Sequence, residues 1–187
     1  MQTMTRRRMM LLAPLAVAGA AGGAFTALLM RMEQGRYDPH ALPSMLIGKA
    51  LPHFSLPSQS PSSSGFSSND VIAARRPALI NFFASWCAPC VEEAPALAEV
   101  RDMGLPIWGV AYKDQEAATA QFLARLGDPY VRVGRDAPGL VGIDFGVYGV
   151  PESYLVDGSG IVRWRWAGGL SSSIVRDQLA PLLKVPA

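Results

Sequence analysis

The chain has 187 residues, half of them hydrophobic, enough for one domain with a sizeable core plus appended segments. Its formal charge of +2 is unevenly placed: Arg6, Arg7, Arg8 and Arg31 precede Glu33, the first acidic residue, which leaves a body with 13 basic and 15 acidic residues. That balance excludes a nucleic-acid partner, which needs a basic surface, and the only two cysteines, Cys87 and Cys90, lie too close together to staple a long loop.

Residues 9–30 carry no charge. As a helix this run spans about 33 Å, against about 30 Å of bilayer hydrocarbon. Arg6 to Arg8 just before it predict residues 1–8 in the cytoplasm, 9–30 as a transmembrane signal anchor in the inner membrane, and the remainder in the periplasm. A cleaved secretory signal is the competing reading, with Ala16-Val17-Ala18 suited to a peptidase; Leu28-Leu29-Met30 resume the apolar run and favour the anchor. Residues 31–45, with Gly35, Pro39 and Pro43, read as a tether, and 46–187 as the folded domain.

Ala50 to Pro57 reads as an extended entry, and 57–70, rich in Ser, Pro and Gly, as a surface loop. Ala78 to Ala84 is nearly all apolar and predicts a central strand buried on both faces. Residues 88–102 read as a helix, with Val91, Ala94, Leu97 and Ala98 on one side. Leu105 to Ala111 is a second buried strand, and 114–126 a second amphipathic helix whose apolar positions include Ala117, Ala120, Phe122 and Leu123. Tyr130 to Val133 is a short strand candidate. Ser153 to Val156 is a firmer one, joined by the Asp157-Gly158-Ser159-Gly160 turn to a returning strand over Ile161 to Trp166. Ser171 to Ser173 can cap a last helix that Pro181 should kink or shorten. A βαβ unit followed by ββα predicts an α/β fold, a central mixed β-sheet flanked by helices.

The chemistry sits in Trp86-Cys87-Ala88-Pro89-Cys90, between a buried strand and a helix. A cysteine at a helix N-terminus faces free N–H groups and the positive end of the dipole, which favour its thiolate. Cys87 is therefore expected to be exposed and nucleophilic. Cys90, one turn on, is expected to resolve the mixed disulfide. Pro89 suits the first helical turn, where its missing N–H costs nothing. Two cysteines and the histidines His40 and His53 do not make a tetrahedral zinc site, so no metal and no cofactor beyond the Cys87–Cys90 disulfide is expected.

This strand-to-helix Trp-Cys-x-x-Cys resembles the thioredoxin superfamily, and Pro95 resembles its helix-kinking proline. The resemblance implies a thioredoxin-like fold. It also implies a cis proline at Pro151, with the Val150 backbone as the edge that pairs with an extended substrate and Trp86 beside it. Asn81 stands where cytosolic thioredoxins carry a buried aspartate. Glu93 and Glu152 are the candidates to take the proton and tune the thiols. Tyr112-Lys113-Asp114 and Phe145 to Asp157, with Gly-Val-Tyr-Gly-Val-Pro-Glu inside it, resemble the thiol:disulfide interchange proteins of cytochrome c maturation, the CcmG/DsbE type, over roughly residues 46–184.

That resemblance implies a membrane-anchored protein-disulfide reductase. Its substrate would be apocytochrome c or a haem-lyase or other maturation protein. A membrane electron donor of the DsbD/CcdA kind would reset it, and the bilayer would hold it through the N-terminal helix. A general reductase similar to the TlpA/ResA group, serving for example copper-site assembly proteins, is the first alternative. A metal-binding or chaperone module and a disulfide-forming oxidant are the others.

Overall fold

A computed structural model describes residues 6–33, 44–59 and 64–183. The chain divides into two compact units, Met1–Leu42 and Pro43–Ala187. In the first, Arg6–Glu33 forms one helix, α1, of 28 residues with Pro14 inside it. The segment expected to be an anchor is helical; among the described residues no helix is long and apolar enough to cross a membrane. Most of the tether and residues 1–5 lie outside the described residues.

The second unit is built on a five-stranded sheet in the order β5-β4-β3-β6-β7. The strands are β3 (Ala78–Phe83), β4 (Ile107–Tyr112), β5 (Arg132–Asp136), β6 (Glu152–Val156) and β7 (Val162–Ala167). β3, β4 and β5 run parallel, while β6 is antiparallel to β3 and to β7. The apolar run at 78–83 occupies the centre and is buried throughout, as a strand covered on both faces must be. A second ribbon, of β1 (Ser55–Leu56) and β2 (Phe66–Ser67), is joined to the edge of this sheet where Ser58 bridges Gly134 of β5.

Side chains alternate along β3 and so divide the core. Ile80 and Phe82 point into a cluster with Leu56, Phe66, Val71, Phe145 and Tyr154. Leu79 packs on the other face with Ala96, Leu97, Val100 and Leu179, and Phe83 with Cys87, Cys90 and Phe122. Phe82 is fully buried, its ring 5.0 Å from Phe145 and 5.9 Å from Tyr154, edge to face. Phe82→Ala should lower stability by about 3–5 kcal/mol, read as a lower urea midpoint at unchanged slope.

Several local expectations are corrected. The helix over 88–102 is two helices, α3 (Ala88–Glu92) and α4 (Ala94–Asp102), broken at Glu93. Pro95 has no N–H to give the carbonyl of Val91, so the ladder is interrupted there. The helix over 114–126 begins at Glu116 (α5, Glu116–Leu126). Its buried residues are Thr119 and Phe122, while Ala117 and Ala120 face solvent. The strand at 130–133 is shifted to 132–136, paired in register with β4.

Part of the supposed 57–70 loop is ordered. Ser67 caps α2 (Ser68–Ala73) through a reciprocal capping box with Asp70, and residues 60–63 lie outside the described set. A further helix, α6 (Leu140–Phe145), was not anticipated. It is delimited by Gly139 and Gly146, both left-handed at φ 78° and 70°. The last helical segment starts at Ser171, whose hydroxyl accepts from the Ile174 N–H, and forms α7 (Ser172–Ile174). It widens to a π-turn over Val175–Leu179, then continues as α8 (Ala180–Leu183) around Pro181, whose ring presses on the preceding turn.

Candidate active site

β3 ends at Phe83, and Ala84-Ser85-Trp86 turns the chain into α3. Cys87 is the N-cap, with extended backbone, and its Sγ accepts from the Cys90 N–H at 3.2 Å. The two cysteines form a disulfide with Cα atoms 5.3 Å apart. The turn is held by a buried carboxylate to which the sequence alone assigned no role. Asp114 accepts from the Ser85 N–H (2.7 Å) and hydroxyl (2.8 Å), the Gln115 N–H (2.8 Å) and the Thr119 hydroxyl (2.8 Å). Next to it the Trp86 indole donates to the Lys113 carbonyl at 3.3 Å. Lys113 takes a left-handed φ of 48°, which brings that carbonyl within reach.

Trp86 is 60% exposed, but Cys87 is only 4% exposed and Cys90 2%. The expected exposure of Cys87 is thus not met in the disulfide form. Its sulfur is closed in by Cys90 and by the Val150 carbonyl, 3.3 Å from Cys87 Sγ. A disulfide sulfur has no proton, so this is a contact here. The Val150–Pro151 bond is cis, and the Pro151 carbonyl accepts from the Gly168 N–H at 2.9 Å. The structure therefore brings Trp86, Cys87, Cys90, Val150 and Pro151 to one end of the sheet.

The two glutamates are not equivalent. Glu93 lies at the break between α3 and α4, one turn after Cys90, and is 1% exposed. One carboxylate oxygen accepts from the Asn81 amide and the other from the Leu170 N–H, each at 3.1 Å. Asn81 also donates to the Ser153 hydroxyl (3.1 Å) and accepts from the Tyr130 hydroxyl (2.8 Å). Asn81, Ser153 and Phe83 share one face of the sheet, the face on which both cysteines pack. Burial pushes the Glu93 carboxyl up to about 7, against the lowering effect of the Leu170 and Asn81 hydrogen bonds. Burial also raises the Tyr130 phenol, with the Glu93 and Asp128 charges adding to the effect.

Glu152 pairs in register with Phe82 and so belongs to the opposite face. It is fully buried, ion-paired with Arg165 and hydrogen-bonded by the Tyr154 hydroxyl. Only Glu93 shares the dithiol's side. Tyr130 and Arg165 lay outside the sequence reading of the site, and nothing in their local sequence marks them. Tyr130 reaches Asn81 from just before β5, 49 positions along the chain, and Arg165 reaches Glu152 across the β6–β7 pairing.

The geometry is that of an exchange centre: a cysteine poised at a helix start, a second one turn behind it, and a buried carboxyl with a raised pKa on the same side. The chain agrees with known proteins in the same terms. Residues 47–165 match the model of the AhpC/TSA family. The thiol:disulfide interchange protein DsbE of Pseudomonas aeruginosa is 39% identical over 94% of this chain and 93% of its own. DsbE of Escherichia coli K12 is 38% identical over 94% of each chain, and the interchange protein HelX of Rhodobacter capsulatus is 38% identical over 94% of this chain and 95% of its own. The crystal structure of a putative DsbE from Chlorobium tepidum superposes with a TM-score of 0.62 over 76% of this chain and 99% of its own, at 24% identity, a likeness of fold. The chain belongs to the AhpC/TSA thioredoxin-like family and, within it, to the thiol:disulfide interchange proteins of the DsbE/HelX kind, which are thiol-disulfide oxidoreductases.

Proposed function

We propose that this oxidoreductase works in the periplasm as a protein-disulfide reductase that keeps the haem-acceptor cysteines of apocytochrome c reduced. The observation that supports it most directly is the placement of the Val150 carbonyl 3.3 Å from Cys87 Sγ. An extended peptide that pairs with Val150 as an added strand carries its own cysteine past the attacking sulfur.

The Cys87 thiolate attacks one sulfur of the substrate disulfide. A Cys87–substrate bond forms, the substrate S–S bond breaks, and the first substrate thiolate leaves and takes a proton. Cys90, deprotonated with Glu93 as acceptor, then attacks Cys87 Sγ. The second substrate thiolate leaves, two electrons have passed to the substrate, and the Cys87–Cys90 disulfide remains. A membrane electron donor returns the pair to the dithiol.

The direct test mixes reduced protein with a peptide carrying an oxidised Cys-x-x-Cys-His sequence and follows both by mass. One peptide disulfide should be reduced per protein oxidised. The potential should lie nearer the roughly −270 mV of thioredoxin than the about −120 mV of a strong oxidant. A potential at the oxidising end would overturn the reading. Equal rates on every disulfide peptide offered would favour the broad-substrate reductase instead.

A further inference from the structure

We infer that Arg165 is a positioning residue for polypeptide substrates: through Tyr148 and Glu152 it holds the loop that presents Val150 to the dithiol, and it takes no part in thiol exchange. The inference rests on the reductase reading above.

The loop from Gly146 to Pro151 joins α6 to β6. Its ends are tied by main-chain bonds, Val147 N–H to the Gly142 carbonyl (2.8 Å) and Gly168 N–H to the Pro151 carbonyl (2.9 Å). Between those ties the chain passes over Arg165. Arg165 stands on β7 opposite Tyr154, with its side chain only 8% exposed. Its guanidinium carbon is 5.2 Å from the centre of the Tyr148 ring. Its Nε donates to Glu152, the residue directly after Pro151, at the same carboxylate oxygen that the Tyr154 hydroxyl reaches.

One buried cation therefore grips the loop on both sides of Val150, two residues before it and two after. The Tyr148 ring is half exposed, so its seat over the guanidinium covers only one side of it. A planar guanidinium can offer a face to a ring and an N–H edge to a carboxylate at once, whereas an ammonium group cannot. The grip acts on the loop and not on the thiols, because Glu152 and Arg165 lie on the sheet face opposite the dithiol. A long peptide that docks along Val150 depends on the loop's place. A small disulfide that meets Cys87 end-on does not.

The test compares two substrates. For Arg165→Met, KM for the oxidised Cys-x-x-Cys-His peptide should rise about tenfold with kcat little changed, while the rate with oxidised glutathione stays within about twofold. The potential of the Cys87–Cys90 pair should not move. Arg165→Met alone leaves Glu152 buried without its partner, so the Arg165→Met/Glu152→Gln pair is measured beside it. Tyr148→Ser, which keeps the ion pair intact, should raise the peptide KM in the same direction by about threefold. Arg165→Lys should recover the melting temperature without recovering the peptide KM. Equal losses on peptide and glutathione, or a peptide KM unchanged in every variant, would overturn the assignment. A wild-type protein that cannot reduce the peptide at all would instead sink the reductase reading.

Discussion

Cys90→Ser should convert the protein into a trap: a mixed disulfide between Cys87 and the natural substrate accumulates and survives on a non-reducing gel. The reason lies in the geometry of the pair. The two Cα atoms are 5.3 Å apart, and the first turn of α3 holds both sulfurs in reach of one another. In the wild type, release of the substrate is an intramolecular attack. Without Cys90 it depends on a free thiol, so turnover should fall by about 10³-fold or more. Cys87→Ser should give no comparable adduct, because Cys90 lies inside the first turn of α3, behind the N-cap position from which Cys87 faces Val150. Equal trapping by both variants would reverse the roles of nucleophile and resolver. The mass of the trapped partner identifies the substrate directly.

The second large effect concerns Glu93. Its carboxyl is raised to about 7 by burial, so at neutral pH it is divided between a form that can take the Cys90 proton and one that cannot. Release of the mixed disulfide should therefore speed up as pH rises through about 7, and Glu93→Gln should slow it by about 10²-fold and abolish that pH dependence. Stability carries a second signature. The folded pKa lies above the ordinary value of 4.5, so between about 4.5 and 7 the folded state binds more protons than the unfolded state.

The protonated carboxyl is the form the fold favours. Stability is thus highest below that window and declines as pH rises through it, by on the order of 3 kcal/mol once the group is fully charged. In the oxidised protein, where no thiol titrates, the stability of Glu93→Gln relative to wild type should improve between pH 5 and pH 8. A constant offset would sink the assignment. The substitution adds an offset of its own, because the new side-chain amide must place a donor against either the Asn81 amide or the Leu170 N–H. The comparison between the two pH values removes it.

Much of the site was legible because its signals are local. Trp86, Cys87 and Cys90 lie within five residues, and the buried strand before them and the capped helix after them are written in adjacent sequence. Pro151 was legible through the block around it. The break at Glu93 was not read, although Pro95, which causes it, stood out as a helix-kinking proline. What did not read locally was the choice between partners far apart in the chain. Glu93 and Glu152 look alike as buried-carboxylate candidates. Strand alternation and the pairing of Phe82 with Glu152 put one beside the dithiol and the other behind the sheet. The apolar face of α5 was misplaced because alanines fit either side of a helix, and only the packing of Phe122 on Phe83 and the Thr119 bond to Asp114 select the buried side.

At the dithiol the division is clearest. The sequence by itself determined which atoms exchange, since a thiolate at a helix start is a matter of neighbours along the chain. The tertiary structure decided that Cys87 is shut in by the Val150 carbonyl, that Asp114 fixes the turn before it, that Asn81 and Leu170 hold Glu93, and that Arg165 meets Tyr148 and Glu152 on either side of Val150. The hydrogen bonds that hold Glu93 alone reach residues 12 and 77 positions away. Sequence spacing carries no information about such contacts, because they exist only once the sheet register has been set.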